Sequence, residues 1–145
     1  MIKILVIYDS LTGNTAKAAE LIAEGAKESG VEVAVRRIGE VSLNEIKGAN
    51  AVIIGCPTHA FSASKAMKKF LSLPAVGESL KDKSGAIFTS CRITPMALRW
   101  LEKTLMKMNF RVLGKLGVHA APKGREEEAC RELGKVVAKK LETEG

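Results

Sequence analysis

The sequence predicts an α/β fold, a doubly wound five-stranded parallel sheet in the order 2-1-3-4-5, and three features carry that prediction. Apolar and amphipathic stretches alternate five times along the chain, the rhythm of repeated β-α units. Two of the apolar stretches, Ile4 to Ile7 and Ala51 to Gly55, hold nothing polar, as expected of strands buried on both faces. The first of them runs through a short hydroxyl-rich loop directly into a helix. No internal repeat or low-complexity linker breaks the pattern, so residues 1–145 are expected to form a single domain.

In chain order, Ile2 to Tyr8 is the first strand, and the helix after Thr15 places Ala18, Ile22 and Ala26 on one narrow face with Ala19 and Ala23 beside them. Val31 to Val35 reads as the second strand. Ser42-Leu43-Asn44-Glu45 is a capping-box pattern that opens a short helix before Gly48. Ala51 to Gly55 is the third strand, and Met67, Phe70 and Leu71 mark the buried face of the next helix. Ser84 to Ser90 is the fourth strand. Thr94-Pro95 is expected to cap and start a long helix. Arg111 to Val118 is the fifth strand, and the closing helix is expected to hold Glu126, Glu127 and Glu128 in its first turn and Lys139 and Lys140 in its last, complementing the dipole at both ends.

The loop Asp9-Ser10-Leu11-Thr12-Gly13-Asn14-Thr15 holds three hydroxyls, one amide and one glycine. Its end is also the first turn of a helix, where free N–H groups and the positive end of the dipole favour an anion. It is neither G-x-x-x-x-G-K-[ST] nor G-x-G-x-x-G, so Walker and dinucleotide fingerprints are excluded. In a 2-1-3-4-5 sheet the topological switch lies between strands 1 and 3. Two further loops converge there, Cys56-Pro57-Thr58-His59-Ala60-Phe61-Ser62 and Thr89-Ser90-Cys91-Arg92-Ile93-Thr94.

Ser10-Leu11-Thr12-Gly13-Asn14-Thr15 resembles the S/T-x-T-G-x-T phosphate loop of the flavodoxin family, and Gly55-Cys56-Pro57-Thr58 resembles that family's G-x-P-T after strand 3. Ala121-Pro122 and the segment Glu128 to Gly134 are similar to flavodoxin-like domains of larger flavoproteins, so the resemblance covers essentially the whole chain. It implies a short-chain flavodoxin-like fold and FMN as cofactor. By the same resemblance Ser10, Thr12, Gly13, Asn14 and Thr15 would hold the phosphate, and Pro57, Thr58, His59 and Ser90 would line the ribityl chain and ring. Cys91 and Arg92 would border the ring. The third loop lacks the aromatic that family members stack on it, which leaves His59 and Phe61 for that role and implies weaker ring binding.

Competing readings fail on particular residues. A receiver domain needs an aspartate at the end of strand 3, where this chain has Gly55-Cys56. A C-x5-R phosphatase loop fails because Ser62 and Ala97 stand where arginine is required. Three cysteines without CxxC spacing argue against a disulfide framework or zinc site and suit reduced, partly buried thiols, with Cys56 and Cys91 as small fillers. No apolar run approaches the roughly 18 residues of a membrane span and no signal pattern opens the chain, so a cytoplasmic protein is expected.

The charge is uneven. The net formal charge is +7, but residues 1–60 carry −1 and residues 126–145 carry −2, while residues 61–125 hold thirteen basic against three acidic residues. Lys65, Lys68, Lys69, Arg99, Lys103 and Lys107 are expected to form one basic surface. On the fourth major helix Leu98, Leu101, Leu105 and Met108 share one side and Arg99, Lys103 and Lys107 the other, with Met96 and Trp100 on the cationic side. Trp100 either folds onto the neighbouring helix or anchors a partner or homodimer interface. Flavodoxins are commonly acidic, so this reversal implies an acidic redox partner. The expected function is an FMN electron carrier. A small FMN-dependent reductase of quinones or porphyrinogens is the alternative, and a nucleic-acid module is disfavoured by the sparse aromatics of the basic segment.

Overall fold

The computed structural model describes residues 3–144 as one central sheet with helices on both faces. The strands are β1 (Lys3–Tyr8), β2 (Glu32–Arg37), β3 (Ala51–His59), β4 (Ser62–Ala63), β5 (Ser84–Cys91) and β6 (Arg111–His119). The helices are α1 (Asn14–Lys27), α2 (Leu43–Gly48), α3 (Lys65–Ser72), α4 (Pro74–Leu80), α5 (Ala97–Lys107) and α6 (Arg125–Glu144). Ile2, expected at the start of the first strand, lies outside the described residues. The five long strands are parallel in the order β2-β1-β3-β5-β6, which is the expected 2-1-3-4-5.

The all-apolar strands are buried as their composition requires: Ile4 to Ile7 and Ala51 to Ile54 are essentially inaccessible. Alternate side chains feed two cores. On one face Ile4, Val6, Ile53 and Phe88 meet the alanine-rich side of α1 and Cys130, Val137 and Ala138 of α6. On the other, Leu5, Ile7, Ile54 and Ile87 meet Met67 and Leu71 of α3 and Leu101 and Leu105 of α5. Small residues let α1 and α6 nearly touch: a Cβ at Gly25 would collide with the Arg131 carbonyl and one at Gly134 with that of Ile22. The Ser42 box forms as expected, with Glu45 N–H donating to Ser42 Oγ (3.1 Å) and Ser42 N–H to Glu45 Oε1 (3.0 Å).

Four expectations are corrected. The third strand continues past Gly55 to His59 and returns through β4, so the second loop is largely a hairpin. A second helix, α4, stands between β3 and β5, started by Pro74 at its first turn. Thr94-Pro95 does not cap α5, which begins at Ala97 after a tight turn in which Leu98 N–H donates to the Pro95 carbonyl (3.1 Å). The closing helix outlasts its expected end, so its last turn holds no cation and Lys139 and Lys140 fall one turn earlier; Lys140 Nζ instead donates to the Leu113 carbonyl (3.1 Å).

Candidate functional site

Three connections meet at the carboxyl end of β1, β3 and β5. The first leaves β1 at Asp9 and turns at Gly13, whose φ of 90° only glycine adopts without strain. Gly13 N–H donates to Ser10 Oγ (3.0 Å), closing the loop, and Lys17 N–H makes the first helical bond to the Gly13 carbonyl (3.0 Å). Helix α1 has no side-chain cap. Among the described residues nothing accepts from the N–H groups of Asn14, Thr15 and Ala16. Lys17 reaches toward Glu127 of α6 (4.0 Å), so the loop offers hydroxyls and N–H donors and no cation.

The second connection is the β3–β4 hairpin, with Thr58 paired to Ala63 and His59 to Ser62. Its two turn residues, Ala60 and Phe61, have φ of 49° and 65°, the type I′ pattern that favours Asn-Gly. For residues with a Cβ this region costs about 1–2 kcal/mol each. Beyond the turn, Ser64 Oγ donates to Asp9 Oδ2 (2.7 Å) and accepts from Met67 N–H, tying the start of α3 to the first loop.

The third connection follows β5. Buried Thr89 donates to the Cys56 carbonyl (2.7 Å), so Thr58 Oγ1 donates to Thr89 Oγ1 (2.9 Å) and accepts from Ala97 N–H (3.3 Å). This relay joins β3, β5 and the start of α5. Thr15 and Ser90, both buried, share a hydrogen bond of 2.7 Å, which pins the first helical turn of α1 to the end of β5.

The expected site residues therefore gather at one end of the sheet but divide by what they have free. Thr12, Gly13, His59, Phe61 and Arg92 are exposed, and Ser10, Asn14 and Pro57 are half-buried. Thr15, Thr58 and Ser90 spend their hydroxyls partly on one another's elements. Cys91 Sγ donates to the Val118 carbonyl (3.5 Å), and the Cys91 carbonyl accepts from Ala120 N–H (2.9 Å). Burial pushes the thiols of Cys56 and Cys130 up to about 11, and burial together with nearby Glu126 raises Cys91, so none is a thiolate at neutral pH.

Sequence reasoning singled out Phe61 but missed Leu11 and Ile93; the three, one on each connection, are 71%, 75% and 77% exposed. The signal was present as single large apolar residues inside polar loops. Trp100 takes the folded-over option, half-buried with Lys68 of α3 5.5 Å from its ring centroid. Arg99, Lys103 and Lys107 are exposed on the outer side of α5.

The sequence model described as flavodoxin matches residues 6–134. A flavodoxin of Aquifex aeolicus is 32% identical, the match covering 94% of this chain and 85% of that protein. An NAD(P)H dehydrogenase (quinone) of Archaeoglobus fulgidus is 36% identical over 62% of each chain. Among solved structures, a flavodoxin from the domain Archaea superposes with a TM-score of 0.89 at 28% identity, covering 97% of this chain and 99% of that one.

Proposed function

The chain belongs to the flavodoxin family, whose members bind FMN and act with redox partner proteins, and we propose that it is a one-electron carrier serving an acidic partner. The observation that carries the reading is the donor set of the first loop: three unbonded N–H groups, exposed Thr12 and half-buried Asn14, with no cation. That set fits a terminal phosphate whose charge is met by N–H groups and a helix dipole. Ser10, Thr12, Gly13, Asn14 and Thr15 would hold the phosphate. Pro57, Thr58, His59, Phe61, Ser90, Cys91 and Arg92 would flank the ribityl chain and the ring. FMN, when bound, supplies the one-electron chemistry.

The protein's own contribution is positional. The Thr58–Thr89–Cys56 relay and the Thr15–Ser90 bond fix the three connections, so little ordering entropy remains to be lost on binding. Exposed Leu11, Phe61 and Ile93 offer apolar contact for a ring in place of the aromatic that the third connection lacks. Among the described residues no helix is long and apolar enough to cross a membrane.

A second reading, a small FMN-dependent reductase of quinones or porphyrinogens, is favoured by the likeness to the Archaeoglobus quinone dehydrogenase. The two separate in one assay on FMN-loaded protein. The carrier reading expects electron delivery between two redox proteins and no sustained NAD(P)H–quinone turnover by the protein alone; sustained turnover contradicts it.

A further inference from the structure

Between the β3–β4 hairpin and the first two turns of α5 lies a groove of about 190 Å³ lined by Phe61, Ser62, Met96, Arg99, Trp100 and Lys103. Small-molecule sites usually span about 300–1,000 Å³, so this one suits a single protein side chain better than a free ligand. Its lining is that of an interface hot spot: an indole, a phenyl ring, a thioether and a guanidinium. The floor is set, because Trp100 packs against the α3–α5 core and is covered by Lys68.

The charge around it has one sign. Arg99 and Lys103 are exposed and have no ion-pair partner among the described residues. Glu102, which lies between Arg99 and Lys103 in sequence, is turned to Lys115 of β6 (3.1 Å) and does not neutralise them. The amino-terminal end of α5 adds the positive pole of its dipole. The groove also adjoins the cofactor region: Phe61 belongs to both, and the start of α5 is held by Thr58.

We propose that this groove seats an apolar side chain of the redox partner flanked by carboxylates, with Arg99 and Lys103 reading the carboxylates and Trp100 and Met96 the apolar group. The proposal rests on the carrier reading and narrows it: steering comes from the whole basic segment, docking from the amino-terminal half of α5. Lys107, in the last turn of that helix, lies outside the groove.

The probe is a capped pentapeptide with one phenylalanine between two pairs of aspartates, titrated into FMN-loaded, ¹⁵N-labelled protein. Trp100 is the sole tryptophan, so the one indole N–H signal reports the groove. That signal and the amides of Phe61, Met96 and Lys103 are expected to shift in a saturable, salt-sensitive manner. Arg99→Glu/Lys103→Glu should weaken half-saturation by about tenfold. Lys81→Glu/Lys107→Glu, with the same change in net charge, should leave it within about twofold. A peptide with serines in place of aspartates should not saturate.

An unmoved indole signal, equal losses in both double variants, or tighter binding of a short oligothymidine than of the acidic peptide would each overturn the proposal. The flavin spectrum of each variant verifies the fold. If electrons are carried but the indole does not move, the groove alone fails. If the protein turns over NAD(P)H and quinone while the peptide seats as expected, the carrier reading fails and the groove stands.

Discussion

At the amino end of the sheet, Asp82 and Asn109 take left-handed backbone, with φ of 65° and 59°, and Asn109 Nδ2 donates to Asp82 Oδ1 (2.6 Å). At the carboxyl end the same region is taken by Ala60, Phe61 and Ala120, which have no side-chain group to bond locally. The hydrogen bonding differs in the same sense. Lys83 Nζ satisfies the Lys47 and Ala49 carbonyls behind α2 (3.0 and 2.8 Å), and desolvation there lowers its pKa. Asn50 Oδ1 accepts from Lys3 N–H (2.8 Å). Opposite, the N–H groups of Asn14, Thr15 and Ala16 face no acceptor among the described residues, and Leu11, Phe61 and Ile93 stand in solvent. One end is finished by the chain itself; the other presents N–H donors and apolar side chains, which is what the proposed FMN site calls for.

Substitutions at the two ends should therefore fail in different ways. The largest effect on stability is expected at the amino end, where a Cβ at Gly85 would collide with the Val52 carbonyl across the β3–β5 ladder. Gly85→Ala should cost about 3 kcal/mol, or roughly 10 °C in Tm. A thermal melt unchanged from wild type would show that the ladder yields there.

Gly13→Asp is the counterpart at the carboxyl end. A Cβ at Gly13 meets open space, so packing is spared, but the backbone is strained and a carboxylate stands beside the three free N–H groups. FMN affinity should fall by more than about 100-fold while the melting temperature of the FMN-free protein drops only a few degrees. Wild-type affinity would remove the phosphate from that loop.

Much of this asymmetry was legible in the sequence, and the illegible part has a physical reason. The uninterrupted apolar runs Ile4–Ile7 and Ala51–Ile54, the small-residue face of α1 and the Ser42–Glu45 box are local patterns, and each takes the buried or capped place read for it. The β3–β4 hairpin was hidden because Ala60-Phe61 lacks the Asn-Gly signature of its turn; tertiary ties such as Ser64 to Asp9 hold a conformation that local propensity disfavours. The early start assigned to α5 failed because the Ala97 N–H takes its acceptor, Thr58, from another strand. At the site, residue types located the three connections, but the division of Thr15, Thr58 and Ser90 between holding the scaffold and facing a ligand depends on long-range pairs.

The hairpin offers a smaller test. Ala60→Asn/Phe61→Gly gives the turn its preferred pair and should raise the stability of the FMN-free protein by about 1 kcal/mol, less the entropy cost of the glycine. It should also weaken FMN binding by removing an apolar contact. A gain in both would mean that Phe61 does not face the ring.

Arg92 is the smallest and sharpest case. It is exposed, with no ion-pair partner among the described residues, on the connection expected along the polar edge of the ring. If it tempers the negative charge of reduced FMN, Arg92→Ala should lower the last one-electron potential by about 40 mV after solvent screening. A potential equal to wild type in a redox titration would leave Arg92 as part of the basic surface only.

The most direct measurement is calorimetric titration of the FMN-free protein with FMN, FAD and riboflavin. If the free N–H groups of Asn14, Thr15 and Ala16 are the anion site, FMN should bind about 100-fold or more tighter than riboflavin, and FAD should not match it. Riboflavin binding as tightly as FMN would contradict the account, because the carboxyl end would then be completed by ring contacts alone.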